Sequence, residues 1–258
     1  MSRTWATVGL LCMAAVAANA VELKYAPQAG AKSTYKVTIS GSMDVEGLGP
    51  GMFTDGRGEA SETVADAKAD ATVASTVEVA KGYLSAGGAY ISSSMVKKPL
   101  SVTRNAKGIM LTAEGAGIDR AAEDPILLAL ALATSVPLPE GAVEVGATWS
   151  AEHSALRPDG QSVTVTGEAK LEEVKDDAGK QIAVISSKTT YPALLVFNSP
   201  LLGDLTVEAT TEVLVDTGVR RSVKAKISGA MATDATALQP LKIAFNPLEV
   251  AVELQPPK

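Results

Sequence analysis

The residue types that most often carry out catalysis or bind metals are scarce in this sequence. It has one histidine, His153, and one cysteine, Cys12, in 258 residues. Zinc sites need several nitrogen or sulfur ligands, and Ser–His–Asp catalysis would depend on His153 alone, with no G-x-S-x-G motif at any serine. Because His153 lies in a polar segment, we expect it to be a solvated surface residue. The sequence therefore predicts a protein that is not an enzyme and uses no metal or cofactor.

Carboxylates offer a remaining route to catalysis, through the acid–base pairs that glycosidases use. Asp176 and Asp177 fall in a predicted hairpin turn, where turn geometry favours aspartate. Asp66 and Asp70 alternate with alanines on a predicted solvent face. Sugar sites generally also need aromatic side chains, and these make up only 4% of the chain. A hydrolase stays open as a third function, behind two kinds of binding protein.

The first candidate binding feature is the connection Pro192–Asp204, which is unusually apolar for a segment between two strands. We expect it to fold over an open end of the sheet and seal the core. The other interpretation is a lip on a cavity for an apolar ligand, or a patch that contacts a lipid surface or a protein partner. Its candidate contact residues are apolar: Leu194, Leu195, Val196, Phe197, Leu201 and Leu202.

Arg221 is the second candidate. The predicted hairpin of Leu205–Asp216 and Val219–Met231 places Arg221 on the same face as Val223, toward the core. A core-facing arginine is costly unless it is paired. We therefore expect Arg221 to lie at a sheet edge, to pair with a buried acid, or to contact the polar head of a ligand.

The first twenty residues have the features of a signal peptide. Arg3 supplies a positive charge, Trp5–Ala17 is almost wholly apolar, and Ala18-Asn19-Ala20 provides small residues for cleavage. Such a signal would direct export to the periplasm or the extracellular space. Cleavage after Ala20 would also remove Cys12 from the mature chain. A lipoprotein is the alternative, although Leu11 stands before Cys12 where a small residue is expected.

Charge and hydropathy exclude several other classes. The net charge is −6, with a pI near 5.0 and no basic cluster, which argues against binding nucleic acid and against electrostatic attachment to anionic lipid. After the first twenty residues no apolar run reaches the 18 or more residues of a transmembrane helix. The composition is 46% hydrophobic and 20% charged, as expected for a folded protein.

Alternation of apolar and polar residues predicts strands along most of the chain. In the hairpin of Leu205–Asp216 and Val219–Met231, a three-residue loop with Gly218 left-handed makes Val215 face Val219. The same register makes both faces complementary, because apolar residues meet on one face and opposite charges on the other. Its pairs are Thr211–Val223, Ala209–Ala225 and Val207–Ile227 on one face, and Glu208–Lys226 and Thr210–Lys224 on the other.

The middle of the chain predicts one helix, over residues 125–134. Asp124 is a suitable N-cap and Pro125 a suitable first helical residue. Ile126–Ala133 is apolar on every side, so we expect this helix to be buried between the sheet and a second cover, the connection 192–204. Pro137 ends it.

The first half of the chain is less regular. The glycine-rich segment Asp44–Gly58 predicts a loop. Glu59–Lys81 alternates like a long strand, with a helix as the alternative because alanine and acidic residues are poor strand formers. Ile39-Ser40-Gly41-Ser42-Met43 is echoed by Ile227-Ser228-Gly229-Ala230-Met231, which indicates either a duplication or a shared local geometry.

The second half resembles a group of bacterial envelope proteins of uncharacterised function. The similarity covers residues 137–231, and it consists of Pro137-Leu138-Pro139, the V-x-V-G-x-x-W motif of Val143–Trp149, a strand rich in Val and Thr, and a long hairpin ending in Ile227-Ser228-Gly229. That group often has an acidic residue where this chain has Ala147. The resemblance implies a curved antiparallel sheet and no particular activity.

Together these features predict a mainly β fold, a strongly curved antiparallel sheet or incomplete barrel with one central buried helix. We expect residues 21–258 to form one domain, with two β halves, 21–123 and 140–258, as the alternative. The predicted function is binding of an apolar or amphipathic, lipid-like ligand between sheet and helix. The alternative is an interaction module that docks a protein partner through residues 192–204.

Overall fold

The fold is an extended antiparallel β-structure, seen in a computed structural model that describes residues 20–47, 49–67, 72–92, 99–114, 126, 129–130, 136–156, 162–196, 199–233 and 241–256. For residues 89–92, 112–114, 155–156, 162, 193–196 and 199–200 only the backbone is described. The strands are β1 (Val21–Glu22), β2 (Lys32–Val45), β3 (Gly49–Ala67), β4 (Val73–Ala86), β5 (Ala89–Ser92), β6 (Leu100–Arg104), β7 (Met110–Glu114), β8 (Ala142–Val143), β9 (Thr148–Ser150), β10 (His153–Leu156), β11 (Ser162–Asp177), β12 (Lys180–Val196), β13 (Ser199–Leu214), β14 (Arg220–Thr233) and β15 (Lys242–Leu254).

Thirteen of these strands form one sheet in the order β10-β11-β12-β13-β14-β15-β2-β3-β4-β6-β7, with β5 beside β4 and β9 beside β11. β15 pairs with β14 on one side and with β2 on the other, so the two ends of the chain meet in the middle of the sheet. The end strands β10 and β7 are not paired with each other, so the described sheet is not a closed barrel. The prediction of a mainly antiparallel β fold is confirmed.

The predicted register of the β13–β14 hairpin is confirmed over most of its length. All five predicted pairs are present, from Val207–Ile227 to Thr211–Val223. A bulge between Glu212 and Val213 then shifts the register by one residue, so that Val213 pairs with Arg220. The predicted pairing of Val215 with Val219 is therefore wrong, since Leu214 N donates to Val219 O instead.

The prediction that Asp44–Gly58 is a loop is wrong. β3 begins at Gly49 and continues to Ala67, so most of this segment is strand. Gly58 has no side chain because another part of the chain packs directly against its backbone. A Cβ at Gly58 would lie 2.6 Å from Cγ1 of Ile126, closer than real Cβ atoms come to one another. Glu59–Lys81 forms strands, β3 and β4, and the helical alternative is excluded for its described residues.

The predicted helix over residues 125–134 is not supported. Ile126, Ala129 and Leu130 are described and have helical backbone, but the other residues of this range lie outside the described part, so no helix is defined there. The three side chains are nonetheless buried, with exposed fractions of 0%, 5% and 8%. They belong to the core on the apolar face of the sheet, beside residues such as Val37, Val223 and Ile227.

Pro192–Asp204 is also not the connection that we predicted. Its described part continues β12 and β13, with Ala193 opposite Leu202 and Val196 opposite Ser199. The segment is therefore the far end of a hairpin and extends the sheet. Residues 197–198 lie outside the described part of the chain.

The opposite end of the sheet is covered by two segments that cross it. Tyr25 N donates to Ala106 O and Ala26 N donates to Thr217 O. These bonds hold the segment after β1 against two turns, the one between β6 and β7 and the one between β13 and β14. Leu138 N donates to Lys107 O, and the ring nitrogen of Trp149 donates to Pro137 O at 2.9 Å. Trp149 of the V-x-V-G-x-x-W motif thus holds the segment before β8 over a second apolar core.

Substitution of Gly58 by alanine should destabilise the protein by about 1–3 kcal/mol, because the new Cβ overlaps Ile126. The cost should largely disappear when Ile126 is also replaced by alanine, since the overlapping atoms are then removed. Urea unfolding of both single variants and of the double variant measures this coupling. Additive costs would contradict the contact between Ile126 and β3.

Candidate functional site

The predicted contact residues of the 192–204 segment are separated by the structure. Leu201 is fully buried in the core of the concave face, whereas its neighbour Leu202 is 47% exposed on the other face. For Leu194, Leu195 and Val196 the structure gives only backbone positions, in β12, and Phe197 lies outside the described residues. These six residues therefore do not form one described surface.

The buried arginine of the hairpin is Arg220 and not Arg221. The bulge at Glu212 and Val213 turns Arg220 toward the core, where it is 5% exposed. Arg221 is on the surface and forms an ion pair with Asp177, and both side chains are well exposed. The prediction of a core-facing Arg221 is wrong by one residue, because the bulge reverses the faces of the strand.

A carboxylate that the sequence did not single out lies at the centre of a buried polar cluster. Glu62 of β3 is 8% exposed, and its Oε1 accepts hydrogen bonds from Ser75 Oγ at 2.6 Å, Arg104 Nε at 3.2 Å and Tyr25 OH at 3.4 Å. Ser75 lies in β4 and Arg104 in β6. Three strands and the segment after β1 therefore converge on a single carboxylate oxygen.

Arg220 of β14 lies near enough to this cluster for its charge to act on Glu62 and Arg104. Its Nη2 donates to the carbonyl of Val136 at 2.7 Å, and its Nη1 lies beside Gly108, where a Cβ would be only 2.9 Å away. Among the described residues, no carboxylate lies within ion-pair distance of Arg220. The cluster thus holds two guanidinium groups, of Arg104 and Arg220, and one carboxylate, of Glu62.

The ionisable groups of the cluster act strongly on one another. Burial opposes ionisation of Glu62, but Arg104 and the Ser75 hydroxyl outweigh it and hold the pKa of Glu62 below its usual range. Burial, together with the charge of Arg104, lowers the pKa of Arg220 to about 10. Burial and the charge of Glu62 raise the pKa of Tyr35 to about 12, and the same causes raise the pKa of Tyr25. At neutral pH the two arginines are charged and the tyrosines are neutral.

His153 is not the solvated residue that we predicted. It is half-buried at the start of β10, with its ring 6.5 Å from that of Tyr191 and nearly perpendicular to it. Its Nδ1 lies 2.9 Å from the carbonyl of Ala151, which favours the tautomer with the proton on Nδ1. Burial and the positive charge of Arg220 lower its pKa, so His153 is neutral at pH 7 and adds no charge.

The concave face above the cluster is apolar and includes a band of small side chains. Ala169, Ser187, Ala209 and Ala225 are paired in sequence across β11, β12, β13 and β14. Thr211 lies next to this band, is 2% exposed, and its hydroxyl has no hydrogen-bond partner among the described residues. The three alanines are buried in the apolar cores, and the unpaired hydroxyl of Thr211 is a polar atom that a ligand or water could satisfy.

The outer face of the same strands carries a groove of about 900 Å³. A ladder of alternating charges crosses it, formed by the paired residues Glu168, Lys188, Glu208, Lys226 and Glu249. Lys188 Nζ is 2.8 Å from Glu208, and hydrogen bonding to Lys188 lowers the pKa of Glu208. Each carboxylate in the ladder faces a lysine, so this groove lacks the facing carboxylates that would favour a hydrolase.

The remaining observations do not assign a class. Within the described ranges, no group of three or more His, Cys, Asp or Glu could hold a metal ion. No helix in the described part of the chain is both long and apolar enough to cross a membrane. No protein family matches the chain, and no curated protein is significantly similar to it. The resemblance of residues 137–231 to envelope proteins stays a prediction.

Replacement of Glu62 by glutamine should destabilise the protein by about 3–5 kcal/mol, because it leaves the buried guanidinium group of Arg104 without its carboxylate. Glu59 of the same strand pairs with Lys81 on the surface, 3.2 Å away, and is the matched control. Glu59→Gln should cost no more than about 1 kcal/mol. Urea unfolding at pH 7 compares the two variants, and equal costs would contradict the role of Glu62.

The same pair of variants tests the pH dependence of stability. The pKa of Glu62 is lower in the folded protein than in the unfolded chain, so its contribution is complete above the unfolded value of about 4.3. It is lost as the pH falls through the folded pKa. Unfolding at a series of pH values between 7 and 3 should therefore show a smaller acid-induced loss in Glu62→Gln than in wild type.

Proposed function

We propose that this protein is an exported, non-enzymatic binding protein that takes up an apolar or amphipathic, lipid-like ligand on the concave face of its sheet. The observation that carries the proposal is the way in which this face is covered. An open sheet with an apolar concave face buries it under Ile126, Ala129 and Leu130, side chains from a separate segment of the chain. The alkyl chain of a ligand would take the place that these three side chains hold.

The contacts of these three side chains with the sheet are ones that an apolar ligand can make in their place. Ile126 touches the sheet at Gly58, which offers only backbone, and the neighbouring band of alanines offers small side chains. Such contacts are non-directional and depend on the apolar area removed from water. An alkyl chain satisfies them as well as isoleucine and leucine do.

Export is part of the proposal and is based on the first twenty residues, of which 1–19 lie outside the described part. A lipid-like ligand is sparingly soluble, so an exported carrier would give it an apolar environment between membranes or outside the cell. The proposal includes no catalytic step. The carboxylate held most firmly inside the fold, Glu62, has its Oε1 occupied by donors from the protein itself.

Substitution of Ala225 by leucine should reduce uptake of a fluorescent fatty acid, because the larger side chain fills the band of small residues on the concave face. Lys224 is the next residue and faces outward, so Lys224→Leu is the matched control and should leave uptake unchanged. Probe titration and native mass spectrometry of the purified proteins measure binding, and melting temperatures confirm folding. Wild-type protein that takes up no probe and carries no lipid would refute the proposed function.

Docking of a protein partner through residues 192–204 remains the alternative, and the exposure of Leu202 favours it. This function predicts that Leu202→Ser loses a co-purifying partner while its probe uptake is unchanged. Leu111 is 44% exposed elsewhere on the surface, so Leu111→Ser is the control that should retain the partner. Substitution of Leu195 and Phe197 by serine tests the remainder of the segment in the same assay.

A further inference from the structure

We propose that Arg220, together with Arg104, binds the anionic head of an amphipathic ligand whose alkyl chain lies on the concave face. The chemical class is a single-chain amphiphile with a carboxylate or phosphate head. This inference rests on the proposed function. It adds which end of the ligand the protein anchors and what charge that end carries.

The charge balance of the cluster carries the inference. Two buried guanidinium groups share one carboxylate, and that carboxylate bonds to Arg104 and not to Arg220. The tyrosines around them are neutral, and so is His153. A buried charge without a partner is strongly unfavourable. An anion beside Arg220 would restore the balance.

Arg220 also has hydrogen-bonding capacity to spare. A guanidinium group has five N–H donors in a planar fork that matches a carboxylate or a phosphate. Arg220 makes one hydrogen bond with the described residues, from Nη2 to a neutral carbonyl. Gly108 packs directly against this guanidinium, since a Cβ there would lie 2.9 Å from Nη1. The N–H donors of Arg220 other than the one to Val136 have no partner among the described residues, and these are the donors that a ligand head would use.

The cluster is continuous with the apolar face, as an amphipathic ligand requires. Glu62 follows Gly58 by four residues on β3, a separation of about 13 Å along the strand, and both face the concave side. Across the sheet, Arg220 is paired with Val213, two residues beyond Thr211 and its unpaired hydroxyl. A head at Arg220 would thus place the alkyl chain over Thr211, the alanine band and the site of Ile126.

The test compares three probes on wild-type protein and on two variants. Hexadecanoate and 1-hexadecanol have the same alkyl chain and differ in the head, and acetate has the anionic head without the chain. Displacement of a fluorescent fatty acid measures their affinities. Wild type should bind hexadecanoate about 10- to 100-fold more tightly than hexadecanol, which is what hydrogen bonds to a charged group contribute. Acetate should not displace the probe.

Arg220→Met should bind both long-chain probes with the affinity of hexadecanol, and Arg221→Met, the surface control, should keep the wild-type preference. Without ligand, Arg220→Met should melt at or above the wild-type temperature, because it removes a buried charge that has no carboxylate within ion-pair distance among the described residues. A much lower melting temperature would overturn the inference by showing that Arg220 maintains the fold.

The outcomes also separate this inference from the proposed function. Equal affinity for hexadecanoate and hexadecanol overturns the head-group site and leaves the ligand-binding function standing. Displacement by acetate as effective as by hexadecanoate overturns it as well, since the alkyl chain would then contribute nothing. Failure of both long-chain probes overturns the proposed function and with it the inference.

Discussion

The contact between Ile126 and the concave face of the sheet is the interaction on which the architecture depends. A sheet one layer thick can bury only one of its faces, and the other must be polar. Here the outer face is a ladder of alternating Glu and Lys, and the inner face is apolar from β11 to β3. Glycine at position 58 lets Ile126 approach the backbone itself. Without this cover the apolar side chains that pack around Ile126 would be more exposed to water, at a cost of about 25 cal/mol for each Å² exposed.

The buried polar cluster imposes the opposite constraint. A core made only of apolar residues would be more stable than one that holds Glu62, Arg104 and Arg220, because each charge loses its hydration. Glu62 and Arg104 compensate each other by direct hydrogen bonds. Arg220 has no carboxylate within ion-pair distance among the described residues, and its one hydrogen bond to them goes to the neutral carbonyl of Val136. Features that reduce stability without a structural return are often found where a protein binds something else.

Sequence patterns predicted the strands well and the site poorly, for physical reasons. Both faces of the β13–β14 hairpin constrain its register, so the pairs from Val207–Ile227 to Thr211–Val223 could be derived. No sequence pattern indicates the bulge beside Glu212. This bulge makes Arg220 the buried arginine and Arg221 the exposed one. Glu62 meets Arg104 from 42 residues away, and no local pattern reports such a contact. Glycines in 44–58 indicated a loop, and the close approach of Ile126 that explains Gly58 cannot be read from β3 alone.

β15 has a consequence for the order in which the protein can be made. It lies between β14 and β2, so in the described large sheet Lys242–Leu254 joins the strands that follow β1 to those of the second half. Tyr35 is paired with Leu254, more than two hundred residues later. The sheet therefore cannot be completed until almost the whole chain has been synthesised, and such distant pairing is slow. The pairing of β15 with β2 and β14 is therefore the last step that joins the two parts of the sheet.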